Sequence, residues 1–220
     1  MIVKTRLLAV IILILTQQFV MAQAVDPEYV KVTNDRAQKI VDGLDLNNAE
    51  QELVVRDLIA NQYRNLNTIH ESRDAEIETV KASSKSNEVQ EKEIEKIKSK
   101  ADKDIDKLHK KYVNNLSKTL NDDQVNAVKD GMTYGVLPKT YAAFLEMIPS
   151  LKDDEKKYIY SNLEEAREHA MDGGSSHEKH WWFGKYKGRI NNYLSARGYD
   201  LQKERDDWYK RIEAEKNKTN

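Results

Sequence analysis

The chain has 220 residues, a formal net charge of −1 and no cysteine. This length allows one domain with a substantial core. A charged fraction of 33% is typical of a soluble, helix-rich protein. The near-neutral charge argues against nucleic-acid binding by phosphate neutralisation. Without cysteine, disulfides, thiol chemistry and a lipidated cysteine are excluded.

The first 24 residues have the organisation of a secretory signal peptide. Lys4 and Arg6 precede an apolar run at 7–15, and Ala22 and Ala24 flank Gln23 in a small-x-small cleavage site. We therefore expect cleavage after Ala24, no membrane span in the mature chain, and a soluble periplasmic or secreted protein. Residues 25–220 are expected to form a single all-helical domain.

Apolar residues recur every three or four positions in most of the mature chain, which predicts an all-α fold. A first helix at 30–44 is followed by a long antiparallel helical hairpin at about 49–120, with Asn47 as the N-cap of its first helix. The charges of the hairpin are mixed in sign, which is typical of a solvated face, although a charged binding arm is the alternative.

A compact lobe of short helices is predicted at about 121–212. Asn121 begins one of them with a capping box, and Pro138 suits the first position of the next. Ser175 and Glu178 form another capping box at the start of an aromatic helix. The lobe therefore contains the segment with the most aromatic and polar character.

In that aromatic helix, one set of side chains has the spacing of a buried stripe: Trp182, Tyr186, Ile190 and Tyr193. Trp181 lies beside the stripe and is the better candidate for an exposed ring. Gly184 and Gly188 each cost about 1 kcal/mol relative to alanine inside a helix. They indicate either close approach of another helix or room for a ligand.

Aromatic rings beside fixed polar donors suit a sugar or a carboxylate ligand. We predict a pocket where Asp172 ends one helix and Ser175 begins the next, because a helix N-terminus offers unpaired N–H groups. Trp181 is the expected platform and Arg167 the expected anchor. The predicted ligand-binding residues are Arg167, His169, Asp172, Trp181, Lys185, Arg189, Asn192, Tyr134 and Tyr141.

Motifs for metal binding and catalysis are weak. His177 and His180 are three residues apart on a predicted helix, but the HExxH spacing and an identifiable third ligand are missing. We therefore predict no metal and no cofactor. The sequence has no phosphate-binding loop or nucleophile elbow. It favours a binding protein over an enzyme, while a hydrolase or lyase stays open.

Two segments, DGMTYGVLPKTYAAFLEMIPSL (130–151) and AREHAMDGGSSHEKHWWFGKYKGRINNYLSARGYDL (166–201), carry a family resemblance. They resemble a family of exported all-helical proteins from Bacteroidetes-type bacteria, over about 37–208. That family has no established function and bears the label sugar-binding. The resemblance implies a periplasmic or secreted protein in glycan use, and it supplies no catalytic residues.

Two functions follow as hypotheses. The first is binding of a carbohydrate or uronate-type ligand, a small molecule or an oligosaccharide, in glycan utilisation. The alternative is a periplasmic helical chaperone or scaffold, since LNNAE, LNDDQ and LKDDE are loosely similar to the Leu-Thr-x-x-Gln repeats of helical stress chaperones, without the threonine. A binding protein requires Trp181, Tyr134 or Tyr141 exposed in a pocket. A scaffold would bury them and expose an apolar stripe on the hairpin.

Overall fold

The computed structural model describes residues 26–46 and 48–219, and within these ranges the protein consists of eight α-helices without any strand. The all-α prediction is therefore confirmed. The helices are α1 (Pro27–Val41), α2 (Ala49–Lys81), α3 (Asn87–Leu116), α4 (Asp122–Met132), α5 (Val136–Met147), α6 (Asp153–Met171), α7 (Ser176–Ala196) and α8 (Leu201–Thr219). None of these helices is long and apolar enough to cross a membrane. The predicted signal peptide lies outside the described residues.

The start of α4 follows the predicted capping chemistry, whereas the start of α2 is shifted by one residue. Asn121 and Gln124 exchange two hydrogen bonds of 2.9 and 3.1 Å at the start of α4, as predicted. The prediction of Asn47 as the cap of α2 is wrong, because Asn48 accepts the hydrogen bond from the Gln51 amide at 2.9 Å. Asn48 has the extended backbone that an N-cap requires (φ −164°). Asn47 itself lies outside the described residues.

The start of α5 also differs from the prediction. The helix begins at Val136, so Pro138 is its third residue and not its first. The reason is the tight turn before it, in which Tyr134 and Gly135 both have left-handed backbone conformations (φ 62° and 66°). This turn reverses the chain so sharply that the helix starts directly after it.

The two longest helices, α2 and α3, pack side by side along the chain's first hydrophobic core. The Gln51 side chain at the start of α2 donates to the Thr119 carbonyl at 2.8 Å, just after the end of α3. The start of α2 therefore lies beside the end of α3. Exposed ion pairs such as Lys110–Asp106, at 2.6 Å, lie on the outer surface.

The hydrophobic core consists of two clusters. The first is built by α1, α2, α3 and α4, and the second by α5, α6 and α7. The helix α6 contributes to both, because Met171 packs in the first cluster and its neighbour Ala170 in the second. The C-terminus of α6 is therefore fixed at the boundary between the two clusters, which is also where the chain turns into α7.

The buried stripe of α7 is only partly the predicted one. Its buried hydrophobic side chains are Phe183, Tyr186, Ile190 and Leu194. Trp182 and Tyr193 are half-buried, because they lie at the α6 side of the stripe. There Trp182 stacks on His169 at 4.2 Å, and Tyr193 stacks on Tyr158 at 3.8 Å.

Candidate functional site

A cavity of about 560 Å³ opens where α1, α2 and α4 meet the junction between α6 and α7. Its wall includes three tyrosines and three cations, Tyr29, Tyr63, Tyr134, Arg36, Lys39 and Lys179. Among the described residues, no aspartate or glutamate lines it. In a chain with as many acids as bases, a cavity wall with cations alone indicates an anionic ligand.

Two glycines allow the surrounding helices to approach closely. A Cβ on Gly131 of α4 would lie 2.9 Å from the Ile40 side chain of α1. A Cβ on Gly174 would lie 2.8 Å from the His70 ring of α2. Three of these residues, Ile40, Gly131 and Gly174, line the cavity. The shape of the cavity thus depends on having glycine, which has no side chain, at positions 131 and 174.

The N-terminus of α7 forms one side of the cavity. Ser175 Oγ accepts a hydrogen bond from the Glu178 amide at 3.1 Å, which confirms Ser175 as the cap. The Glu178 carboxylate in turn accepts a hydrogen bond from the Gly174 amide at 2.9 Å, whereas in a capping box it would accept from the amide one residue later. Ser175 and Ser176 both line the cavity, so the partial positive charge of the α7 N-terminus lies at its wall.

Lys179 neutralises the partial negative charge at the C-terminus of α6, which ends beside the cavity. Its buried amino group donates to the carbonyls of Ala170 and Met171, each at 3.0 Å. These are among the last carbonyls of α6, whose partial negative charge would otherwise repel an anion. Burial lowers the pKa of Lys179 to about 8, against the opposite effect of the carboxylates of Asp172 and Glu178.

Tyr134 lies at the rim in a strained backbone conformation. Its φ of 62° costs about 1–3 kcal/mol for a residue with a side chain. The ring is 51% exposed, and it touches His180 edge-on with ring centroids 5.8 Å apart. Burial therefore does not offset the strain. A strained, exposed aromatic residue at a cavity is typical of a functional position.

The other polar groups of the cavity include the hydroxyls of Tyr63 and Tyr29 and the cations Arg36 and Lys39. Burial raises the pKa of Tyr63 to about 12, which keeps its hydroxyl protonated. Burial likewise raises the pKa of Tyr29, although Arg36 partly opposes this. Within residues 26–46 and 48–219, neither Arg36 nor Lys39 forms an ion pair. Both cations are thus available to a ligand.

Arg167, the predicted anchor, does not reach the cavity. It is only 1% exposed, and its guanidinium donates to Asp130 at 2.9 Å and to Asn126 at 2.8 Å. The residue faces α4 because it lies one helical turn before Met171, which packs in the first cluster with residues of α4. Arg167 therefore joins α6 to α4, and the prediction of a ligand anchor is wrong for it.

The remaining predicted residues are divided among four places. Tyr134 alone lines the cavity. Trp181, Lys185, Arg189 and Asn192 lie on exposed positions of α7. Tyr141 is half-buried in the second core cluster, edge-on to Tyr160 at 5.2 Å. His169 and Asp172 line a different cavity. The structure therefore does not bring the predicted residues together in one cavity.

That second cavity has a volume of about 380 Å³ and the opposite character. Its wall contains four carboxylates, from Asp102, Asp106, Asp172 and Glu178, and one arginine, Arg73. Arg73 is already paired with Asp74 at 2.8 Å. A carboxylated ligand would be repelled here, so the first cavity is the better candidate for such a ligand.

The residues that sequence reasoning missed come from α1 and α2. Tyr29, Arg36 and Lys39 lie far along the chain from the aromatic segment, and only the fold brings them to it. A signal was present, since Tyr29, Arg36 and Ile40 are spaced by seven and four residues and share one face of α1. Lys179 was not singled out because it resembles an ordinary surface lysine.

A metal centre has no support in the described ranges. They contain no group of three or more His, Asp or Glu side chains that could hold a metal ion. Of the two histidines weighed for zinc, His180 lies against Tyr134, and His177 is exposed on the first turn of α7.

The fold defines an all-α protein with a cavity between its helices. Over residues 30–214 the chain matches the family described as "Protein of unknown function (DUF3826)", and it belongs to that family. This confirms the resemblance to an uncharacterised family. The description of the family states no ligand and no source. No curated protein matches the chain.

Proposed function

We propose that this protein binds a carboxylated sugar of the uronate type in the cavity between α1, α2, α4 and the α6–α7 junction. The observation that carries the proposal is the composition of the wall: three cations and three tyrosines without a carboxylate among the described lining residues. Tyrosine rings cover the apolar face of a sugar, and tyrosine hydroxyls bind its hydroxyl groups.

The carboxylate is assigned to the cationic part of the wall. Arg36 presents a planar guanidinium, which can hold a carboxylate with two parallel hydrogen bonds. The N-terminus of α7 at Ser175 and Ser176 adds a partial positive charge. The sugar ring then lies against the phenol ring of Tyr134 at the rim of the cavity. The strained backbone of Tyr134 holds that phenol ring in place.

Exposure of the aromatic rings also favours ligand binding over the scaffold alternative. Tyr134 and Trp181 are 51% and 52% exposed, whereas a scaffold was expected to bury them. On α2 and α3, the large apolar residues exposed within the described ranges are Leu53, Val54 and Val89. Leu53 and Val54 lie at the start of α2 and Val89 at the start of α3, so they do not form a continuous stripe.

A thermal-shift assay on the mature chain tests the proposal. D-Galacturonate should raise the melting temperature by binding the folded state, whereas D-galactose, which lacks the carboxylate, and inorganic phosphate, which lacks the sugar ring, should not. Arg36→Gln should weaken binding roughly tenfold or more, through loss of charge-assisted hydrogen bonds. Lys31→Gln is the matched control, because Lys31 is an exposed cation on the same helix and outside the cavity.

An equal shift with galactose or phosphate, or no shift with galacturonate at any concentration, would overturn the proposal. So would equal binding by the Arg36→Gln and Lys31→Gln variants.

We also propose export through the signal peptide and cleavage after Ala24. The support is the order of Lys4 and Arg6, the apolar run and the Ala-x-Ala site. N-terminal sequencing of protein recovered from a periplasmic extract should begin at Val25. Protein that begins at Met1 in that extract would contradict it.

A further inference from the structure

The outer face of α7 carries an aromatic side chain in a fixed orientation outside the cavity. Trp181 is 52% exposed, and its ring meets Trp182 edge-on with centroids 4.9 Å apart. Trp182 is itself stacked on His169 of α6 at 4.2 Å. The Trp181 indole therefore has a firm support behind it, while half of its surface is open to solvent.

A cation without a carboxylate partner lies next to this ring. Lys185 Nζ is 5.3 Å from the Trp181 centroid and 4.8 Å from the Trp182 centroid, within cation–π range. Lys185 forms no ion pair with any described residue. Between Glu178 and Asp200 the sequence has five lysines and arginines and no acid. Among these five, Lys179 is buried, and Arg189 and Arg197 are paired with carboxylates. The positive charge of the Trp181 face is therefore that of Lys185.

The surface beside Trp181 is flat. A Cβ on Gly184 or on Gly188 would meet no heavy atom of the described chain within 4 Å. Both glycines are exposed and share the helix face of Trp181, Lys185 and Asn192. No other described helix therefore packs closely against Gly184 and Gly188, so helix packing does not offset the helix-propensity cost of these two glycines. The backbone of α7 lies open for close approach from outside.

We propose that this outer face of α7, formed by Trp181, Gly184, Lys185, Gly188 and Asn192, is a second binding site, and that it binds a polysaccharide that carries carboxylates. Trp181 stacks against a sugar ring, Lys185 pairs with a carboxylate, and Asn192 binds hydroxyl groups one turn beyond Gly188. The two glycines allow the chain of sugars to lie directly on the helix.

The charge and the composition of the face decide between occupants. A protein partner needs a cluster of apolar side chains at the centre of its interface. In the described part of α7, Trp181 is the only large apolar side chain that is exposed. A single ring beside an ammonium and an amide group fits a sugar chain instead, and Lys185, which forms no ion pair with a described residue, selects an anionic one.

Affinity gel electrophoresis with polygalacturonate cast in the gel tests this site. The wild-type mature chain should be retarded, and Trp181→Ala and Lys185→Ala should each reduce the affinity roughly fivefold or more. Lys187→Ala removes the same charge from the same helix and serves as the control for Lys185→Ala. Tyr209→Ala, which removes an aromatic ring that is 57% exposed on α8, serves as the control for Trp181→Ala.

The two control variants should keep the wild-type retardation. Melting curves of all variants establish that they are folded. Retardation of Trp181→Ala equal to the wild type would overturn the proposal. An equal loss of affinity in Lys187→Ala would mean that only the net charge of α7 matters, and it would also overturn the proposal. Equal retardation in a gel that contains neutral dextran would show that the polymer need not be anionic, and would overturn that part of the proposal.

Discussion

The imidazole Nδ1 of His109 on α3 lies 2.8 Å from the carboxylate of Asp172, the residue that caps the C-terminus of α6. His109 Nε2 lies 3.5 Å from the Glu168 carboxylate, which Lys129 of α4 also contacts at 2.8 Å. His70 of α2 binds the Asp172 carbonyl at 2.8 Å. The helix end beside the cavity is thus held by α2 and α3 directly, and by α4 through Glu168.

This arrangement predicts a pH-dependent contribution to stability. Hydrogen bonds to Asp172 and Glu168 raise the pKa of His109 from 6.5 to about 9. Since the folded state binds the proton more tightly, the stabilisation is fully present below pH 6.5 and is lost as pH rises through 9. His109→Gln should lower the free energy of unfolding by about 1–3 kcal/mol at pH 6.

The difference between wild type and His109→Gln, measured by urea unfolding from pH 6 to pH 10, should shrink between pH 6.5 and pH 9. Lys179 titrates in both proteins and cancels in the difference. A difference that stays constant over this range would show that His109 is not charged in the folded state.

The glycines predict opposite effects of the same substitution. Gly184→Ala should raise the free energy of unfolding by about 1 kcal/mol, because alanine favours the helix and its Cβ meets open space. Gly174→Ala should lower it by about 1–3 kcal/mol, because its Cβ would lie 2.8 Å from the buried His70 ring. Differential scanning calorimetry of both variants measures this. Two changes of the same sign would contradict the packing at one of the two positions.

The stability of the long helices should depend on their apolar contacts more than on their charges. Leu116→Ala removes a fully buried side chain of α3 and should cost about 2–5 kcal/mol. Lys110→Ala breaks the exposed pair with Asp106 and should cost much less. Denaturant midpoints compare the two variants directly, and similar midpoints would refute this view of the core.

Local chemistry made the helices predictable from sequence. The caps at Asn121 and Ser175 depend on residues within one turn of each other, so a single sequence contains the information. The shift from Asn47 to Asn48 has the same local origin, since two adjacent asparagines offer the same chemistry and only the backbone conformation decides.

The candidate site was less predictable because its residues come from distant parts of the chain. Arg36 and Tyr63 join Tyr134 and Lys179 only through packing between helices. Arg167 illustrates the reverse error, because its side chain was placed by sequence proximity to the α6–α7 junction and not by helix face. At 1% exposure it is a core residue, held by Asp130.

The central claim is that Tyr134 is held in a strained conformation in order to bind a carboxylated sugar. Tyr134→Gly relieves the left-handed backbone, so this variant should be at least as stable as the wild type. It also removes the ring, and affinity for D-galacturonate should fall roughly tenfold. Isothermal titration calorimetry of both proteins measures the affinity, with urea unfolding as the measure of stability. Greater or equal stability with weaker binding is the predicted result, whereas equal affinity of the two proteins for galacturonate would contradict the assignment of the site.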